Sequence, residues 1–155
     1  MTEVLFYHLI DTPLEQALPD LIEKCRARNW SVVVQCGRAE RCVALDEHLW
    51  TYRDDSFLPH GRALLEDERG EAQDPADHPV WLTTGTDNPI NAHVRFLVDG
   101  AVPESIVEYE RAIYMFDGAD PEAVSAARTR WKFEKDAGHD LAYWQQDGGR
   151  WVKKA

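Results

Sequence analysis

With 155 residues, 44% of them hydrophobic and 29% charged, the chain has the length of one domain and enough apolar content for a core, which excludes a disordered polymer. Its net charge of −11 repels phosphate backbones on average and argues against autonomous DNA binding. No stretch approaches ~18 consecutive apolar residues, so no membrane span is expected.

The first element is the apolar run 3–9, which carries Val, Phe and Tyr and reads as a strand buried on both faces. It has no basic start and no small-residue cleavage site, so it is not a signal peptide. Asp11-Thr12-Pro13 pairs a cap candidate with a proline and starts a helix to about Arg28, with Leu14, Leu18, Leu21, Ile22 and Cys25 on one face. A second buried strand follows at 31–36. A second helix spans 39–50, with Cys42, Val43, Leu45, Leu49 and Trp50 on its apolar side. Pro59 and Gly61 force a loop, and 66–79, rich in Glu, Asp, Gly and Pro, reads as a surface loop.

Further strands are expected at 80–84, 93–99 and 110–116, with a turn cluster at 85–91. Residues 103–109 fit either a short helix or a strand extension. Asp120-Pro121 opens a last helix ending near Gly138, a C-terminal cap candidate. A short strand at 141–145 precedes a tail bearing Trp151 and Lys153-Lys154. Strands alternating with helices predict an α/β fold: a single domain over residues 1–155, an open, mostly parallel sheet with helices on both faces and right-handed crossovers.

Catalytic signatures are weak. The turn after the first strand, Leu9-Ile10-Asp11-Thr12-Pro13, lacks the glycines of a phosphate-binding loop. Ile113-Tyr114-Met115-Phe116-Asp117 resembles a strand ending in a magnesium-binding Asp, but no Gly-rich loop with Lys accompanies it. Asp54, Asp55, Ser56 and His60 read better as a turn whose side chains bond the local backbone than as a hydrolytic cluster. The six histidines show no metal-ligand spacing. Cys25, Cys36 and Cys42 form no CxxC pair and are expected as reduced thiols in the cytoplasm. No metal, cofactor or catalytic residue is expected. The rival from another class is a small α/β enzyme acting on a nucleotide or phosphoester, which would need carboxylates such as Asp11, Asp99 and Asp117 at the strand ends.

Binding signals are stronger. Residues 128–135 read RTRWKFEK, four cations against one carboxylate in an acidic chain. At about 100° per residue, Ala123, Ala126, Arg130, Phe133 and Ala137 share one side of the last helix. Val124, Arg128, Trp131 and Lys135 share another, with Lys132 beside them. If the alanine side is buried, Trp131 stands near the surface among cations and suits a peptide with acidic and aromatic residues. If Val124 and Trp131 face the core, the cations snorkel. The residues alone leave both arrangements open.

Two further runs, Leu45-Asp46-Glu47 with Leu49-Trp50 and Ser56-Phe57-Leu58-Pro59-His60, resemble the signature of the chi subunits of bacterial DNA polymerase III. The resemblance extends from Phe6-Tyr7 to the last helix near Gly138. It implies an open α/β fold and a non-catalytic adaptor. An Arg-x-x-aromatic-Lys pattern, here Arg128, Trp131 and Lys132 with Val124 and Lys135 nearby, would receive the C-terminal tail of the single-stranded DNA-binding protein. That tail is acidic and ends in a hydrophobic residue with a free carboxylate. Asp117 and Gly118 fall near the wall of that pocket. Trp50 and Phe57, with Leu58, Pro59 and His60 shaping the turn, would contact the psi subunit, the link to the clamp loader. DNA would be met only indirectly, in the cytoplasm and with no membrane partner.

Overall fold

A computed structural model describes residues 2–52, 58–65 and 68–155. The element order is β1 (Glu3–Leu9), α1 (Leu14–Ala27), β2 (Val32–Cys36), α2 (Ala39–Thr51), β3 (Gly61–Arg62), β4 (Val80–Thr83), β5 (Val94–Val98), β6 (Arg111–Asp117), α3 (Pro121–Asp136), β7 (Asp140–Asp147) and β8 (Arg150–Lys153). They build one sheet of order β3-β4-β2-β5-β6-β1-β7-β8. Every pairing is parallel except β7 with β8. The expected α/β class, with a mostly parallel open sheet, is what forms.

The central strands are apolar throughout because both their faces are covered. All five residues of β2 and of β5 are buried. On one face, Leu18, Leu21 and Ile22 of α1 and Cys42, Leu45 and Leu49 of α2 pack on Leu5, Val34 and Phe96. On the other, Ala127 and Trp131 of α3 and the loop residues Ile106 and Tyr109 pack on Val4, Phe6 and Ala112. Each fully buried aliphatic side chain in these layers contributes about 1.5–3 kcal/mol. Crossovers from β1 and β2 run one way along the sheet and that from β6 runs the other. Right-handed connections therefore place α1 and α2 on one face and α3 on the opposite one.

The structure departs from expectation in several places. Residues 103–109 form neither helix nor strand; Ile106 and Tyr109 plug the sheet, and Val107 is 74% exposed. β3 is a two-residue edge strand, too short to leave a pattern. The last strand is longer than predicted and turns back into β8 through Gly148 and Gly149, at φ 58° and 79°. Neither Asp11 nor Thr12 caps α1. Pro13 occupies the cap position, with no side-chain bond to the helix.

Within the second core layer lies Arg95, fully buried. Its guanidinium donates to Gln35 Oε1, the Tyr109 hydroxyl and the carbonyls of Gly85 and Asp87. A buried cation is tolerated only when its donors are filled, and this one ties the β4–β5 loop to the 101–109 segment.

Candidate functional site: an aromatic pocket beside α3

The last helix starts where Asp120 Oδ1 accepts the Glu122 N–H at 3.0 Å, with Pro121 in the first turn. It ends at Gly138, whose φ of 89° suits glycine. Of the two arrangements open to it, the sheet takes the Val124 and Trp131 side. Trp131 packs edge-on against Phe6, with centroids 5.3 Å apart, and against Tyr143 at 5.9 Å. Phe133, on the alanine side, is instead 58% exposed beneath the Arg130 guanidinium, 4.5 Å from its centroid. The buried position on this helix belongs to Glu134, which accepts from Arg130 at 3.2 Å. Arg130 also donates to the Tyr114 hydroxyl at 2.8 Å. Tyr114 and Glu134 thus hold Arg130 toward the sheet, and Phe133 lies outside it under the guanidinium.

Trp131 is nevertheless only half-buried. Beside it, Arg128, Lys132 and Lys135 are exposed, and none of the three is in an ion pair among the described residues. The strand ends supply the rest of a pocket. His8 Nδ1 and the Tyr143 hydroxyl share a hydrogen bond of 2.6 Å. His8 lies 5.0 Å from the Phe116 ring, and Phe116 lies 6.1 Å from Tyr143. The field of Arg128 reaches both polar rings. Burial first, and Arg128 second, hold His8 below the usual imidazole range against the opposing charge of Asp117. Burial pushes the Tyr143 phenol up, and Arg128 partly offsets it. The positive charge here is supplied by the exposed helix cations Arg128, Lys132 and Lys135.

Gly118 closes the floor. A Cβ there would stand 2.0 Å from His8 Nε2 and 2.7 Å from the Leu9 carbonyl, so no side chain fits. Asp117 is exposed, and its Oδ1 accepts the Ala119 N–H at 2.9 Å. His8, Phe116 and Tyr143 were not singled out as walls from the sequence. Their signal is the alternation that puts residues 6 and 8 of β1 on one face, and it becomes readable only once β6 and β7 are known to flank β1.

The second predicted surface is split. Trp50 is 46% exposed on α2, off the helix's expected apolar side, and Pro59 is exposed. Leu58 and His60 are interior, at 3% and 1% exposure. The His60 ring has acceptors on both nitrogens, the Leu58 carbonyl at 2.8 Å on Nδ1 and Asp46 Oδ1 at 3.0 Å on Nε2. Trp50 lies against this ring at 4.2 Å. His60 shapes the loop from beneath and presents Trp50; it does not face solvent. Phe57 lies outside the described residues, as do Asp54, Asp55 and Ser56.

Two observations bear on nucleotide chemistry. Consecutive N–H groups of Ile10, Asp11 and Thr12, the arrangement that binds phosphate elsewhere, converge on Gln146 Oε1 at 2.8, 3.1 and 3.1 Å. The carboxylates Asp11, Asp99 and Asp117 do line a common crevice, but Arg38 binds Asp99 through two bonds. No cluster of three or more His, Cys, Asp or Glu fit for a metal occurs among the described residues. None of the helices formed by them is long and apolar enough to cross a membrane.

Residues 1–142 match the protein-family profile described as "DNA polymerase III chi subunit, HolC". The chain is 28% identical over 116 residues to the probable DNA polymerase III subunit chi of Rickettsia prowazekii, a match covering 75% of this chain and 66% of that protein. It is 25% identical over 123 residues to the DNA polymerase III subunit chi of Pseudomonas aeruginosa, covering 78% of each.

Proposed function

The chain belongs to the DNA polymerase III chi-subunit family, accessory and not catalytic, and on that premise we propose that it is an adaptor for the C-terminal tail of the single-stranded DNA-binding protein. The observation that carries this reading is the juxtaposition on α3 of Arg128, Lys132 and Lys135, free of ion pairs among the described residues, with a half-buried aromatic pocket of Trp131, Tyr143, Phe116 and His8. An acidic tail with an apolar last residue needs both parts. Its terminal side chain enters the aromatic pocket, its carboxylate meets Arg128, and the upstream acids run along the two lysines. Val124, half-buried a turn and more before Arg128, lies on the same side of the helix.

The adaptor also docks to psi, and through it to the clamp loader, by a surface centred on Trp50 and Pro59. Leu58 and His60 hold that loop from below, and the same interface is assigned to Phe57, which lies outside the described residues. An exposed tryptophan seated on a buried ring is a preorganised anchor. The protein acts in the cytoplasm as one domain over residues 1–155, with DNA reached only through its partners and without a cofactor. The nucleotide-processing alternative is disfavoured because Gln146 fills the loop where a phosphate would sit.

Calorimetry with a synthetic tail peptide tests the reading. Arg128→Ala removes a charge-assisted contact and weakens binding by about 1.5–3 kcal/mol, roughly tenfold to a hundredfold. Trp131→Phe keeps the contact with Phe6 and the fold while reshaping the pocket, and also weakens it. Wild-type affinity in both variants removes the proposed site.

A further inference from the structure

On the other flank of α3 lies a crevice of about 1080 Å³ that meets the aromatic residues of the adaptor reading only at Phe116. It sits at the carboxyl ends of β1 and β6, neighbouring strands whose connections leave to opposite faces, the place where open α/β sheets bind ligands. We propose that this crevice docks a cationic, aliphatic-bearing peptide segment of a partner protein.

Three features select that occupant. The floor is apolar, formed by Leu9, Leu97 and Met115, and the α3 wall carries three alanines, Ala123, Ala126 and Ala127, between Glu122 and Arg130. Small side chains on a helix let a peptide approach closely. At the rim, Ile10 and Val102 are 52% and 62% exposed, apolar surface left in water beside an open groove.

The charges decide the sign of the ligand. Among the crevice-lining residues, three arginines meet six carboxylates. The arginines are spent internally: Arg38 on Asp99, Arg41 on Glu15, and Arg130 on Tyr114 and Glu134. Asp11, Asp117, Asp120 and Glu122 are exposed and have no cation partner among the described residues. Asp117 and Asp120 each use one oxygen on a backbone N–H, and the other oxygen of each is left to meet a ligand. Lysine or arginine side chains answer these acids, and an aliphatic residue between them fills the floor. A phosphate ligand meets the same acids unfavourably, and the nearest N–H cradle is already occupied by Gln146. The surface is opposite in charge to the Arg128 face, so the two flanks of one helix sort partners of opposite sign.

The probe is a short fluorescein-labelled peptide of alternating lysine and leucine, followed by fluorescence anisotropy with the full chain. Saturable binding is expected. Ala126→Trp, at an exposed helical position, fills the groove without altering charge and weakens binding about tenfold or more. Glu122→Lys also weakens it. Binding of the single-stranded DNA-binding protein tail is unchanged in Ala126→Trp, so the two sites stand or fall separately. Amide shifts of the labelled wild-type protein, expected at Ile10, Val102 and Ala126, give a readout that needs no variant. Unaltered peptide affinity in Ala126→Trp shows that an acidic protein merely attracts a basic peptide, and overturns the proposal. So does absence of saturable binding, or preferential occupation of the crevice by ATP or by an acidic peptide.

Discussion

Gln146 holds the turn between β1 and α1 from the far end of the chain, and replacing it with leucine measures that role. In the native fold the side chain is 5% exposed, and its Oε1 accepts three successive N–H groups from residues 10–12. These N–H groups precede Pro13, the cap position of α1, so the amide oxygen fixes the β1–α1 turn that leads into the helix. Gln146→Leu keeps the volume and removes the acceptor. Three hydrogen bonds at a net of about 0.5–1.5 kcal/mol each set an upper range of roughly 4 kcal/mol. Ile10 and Asp11 are exposed, so water restores part of that, and a loss of about 2 kcal/mol is expected. For a chain of this length that lowers Tm by about 4–8 °C. Urea unfolding followed by tryptophan fluorescence should show a lower midpoint at unchanged slope. Gln146→Glu supplies a charged acceptor at a helix N-terminus and should stay close to wild type at pH 7. If Gln146→Leu lies within about 0.5 kcal/mol of wild type, the three contacts do not stabilise the β1–α1 turn and the assigned role is wrong.

Gly118→Ala should cost about 1–3 kcal/mol, because the methyl must push His8 aside, and it should weaken tail binding by breaking the His8–Tyr143 contact; melting and calorimetry on the same variant check both. The His60–Asp46 pair predicts a pH dependence of stability. Burial opposes charge on His60, but the hydrogen bonds its ring donates to the Asp46 carboxylate and to the Leu58 and Asp46 carbonyls outweigh it, so the folded pKa is raised above 6.5. The protonated ring binds its proton more tightly in the folded state, so this stability is complete below about pH 6.5 and is lost as pH rises through the folded value. Asp46 is shifted the other way, chiefly by its His60 hydrogen bond, so its contribution is present above about pH 3.8 and fades as acid protonates it. His60→Gln should flatten the alkaline decline in urea midpoints, and an unchanged profile would assign it to another group. Tail affinity should fall steadily with added salt, and the slope should be shallower in Arg128→Ala and in Lys132→Ala; equal slopes would mean those cations do not meet the ligand.

The framework of the sheet was legible because buried parallel strands leave continuous apolar runs, as at residues 4–6, 32–34 and 112–115. The start of α3 was legible because Asp120-Pro121 is a local chemical signal. Its packed face was not. Trp131 and Phe133 lie on different sides and compete for the sheet, and the outcome turns on Tyr114 and Glu134 holding Arg130, which no helical periodicity reports. The anchor of the β1–α1 turn escaped for the same reason, since its acceptor is more than a hundred residues away. The β7–β8 hairpin has a signal in Asp147-Gly148-Gly149, but the flanking runs Ala142-Tyr143-Trp144-Gln145-Gln146 and Arg150-Trp151-Val152-Lys153 lack clean apolar–polar alternation. The pocket walls His8, Phe116 and Tyr143 come from three strands whose order is set by topology.

The most direct measurement of the central claim is an amide and indole shift map of the isotope-labelled protein titrated with the tail peptide of the single-stranded DNA-binding protein. The account predicts saturable changes at the Trp131 indole N–H and at the amides of Arg128, Phe116 and Tyr143, with Ala126 and Val102 across the helix unmoved. Saturable changes centred on Trp50 or the crevice, or none near Trp131, would contradict it.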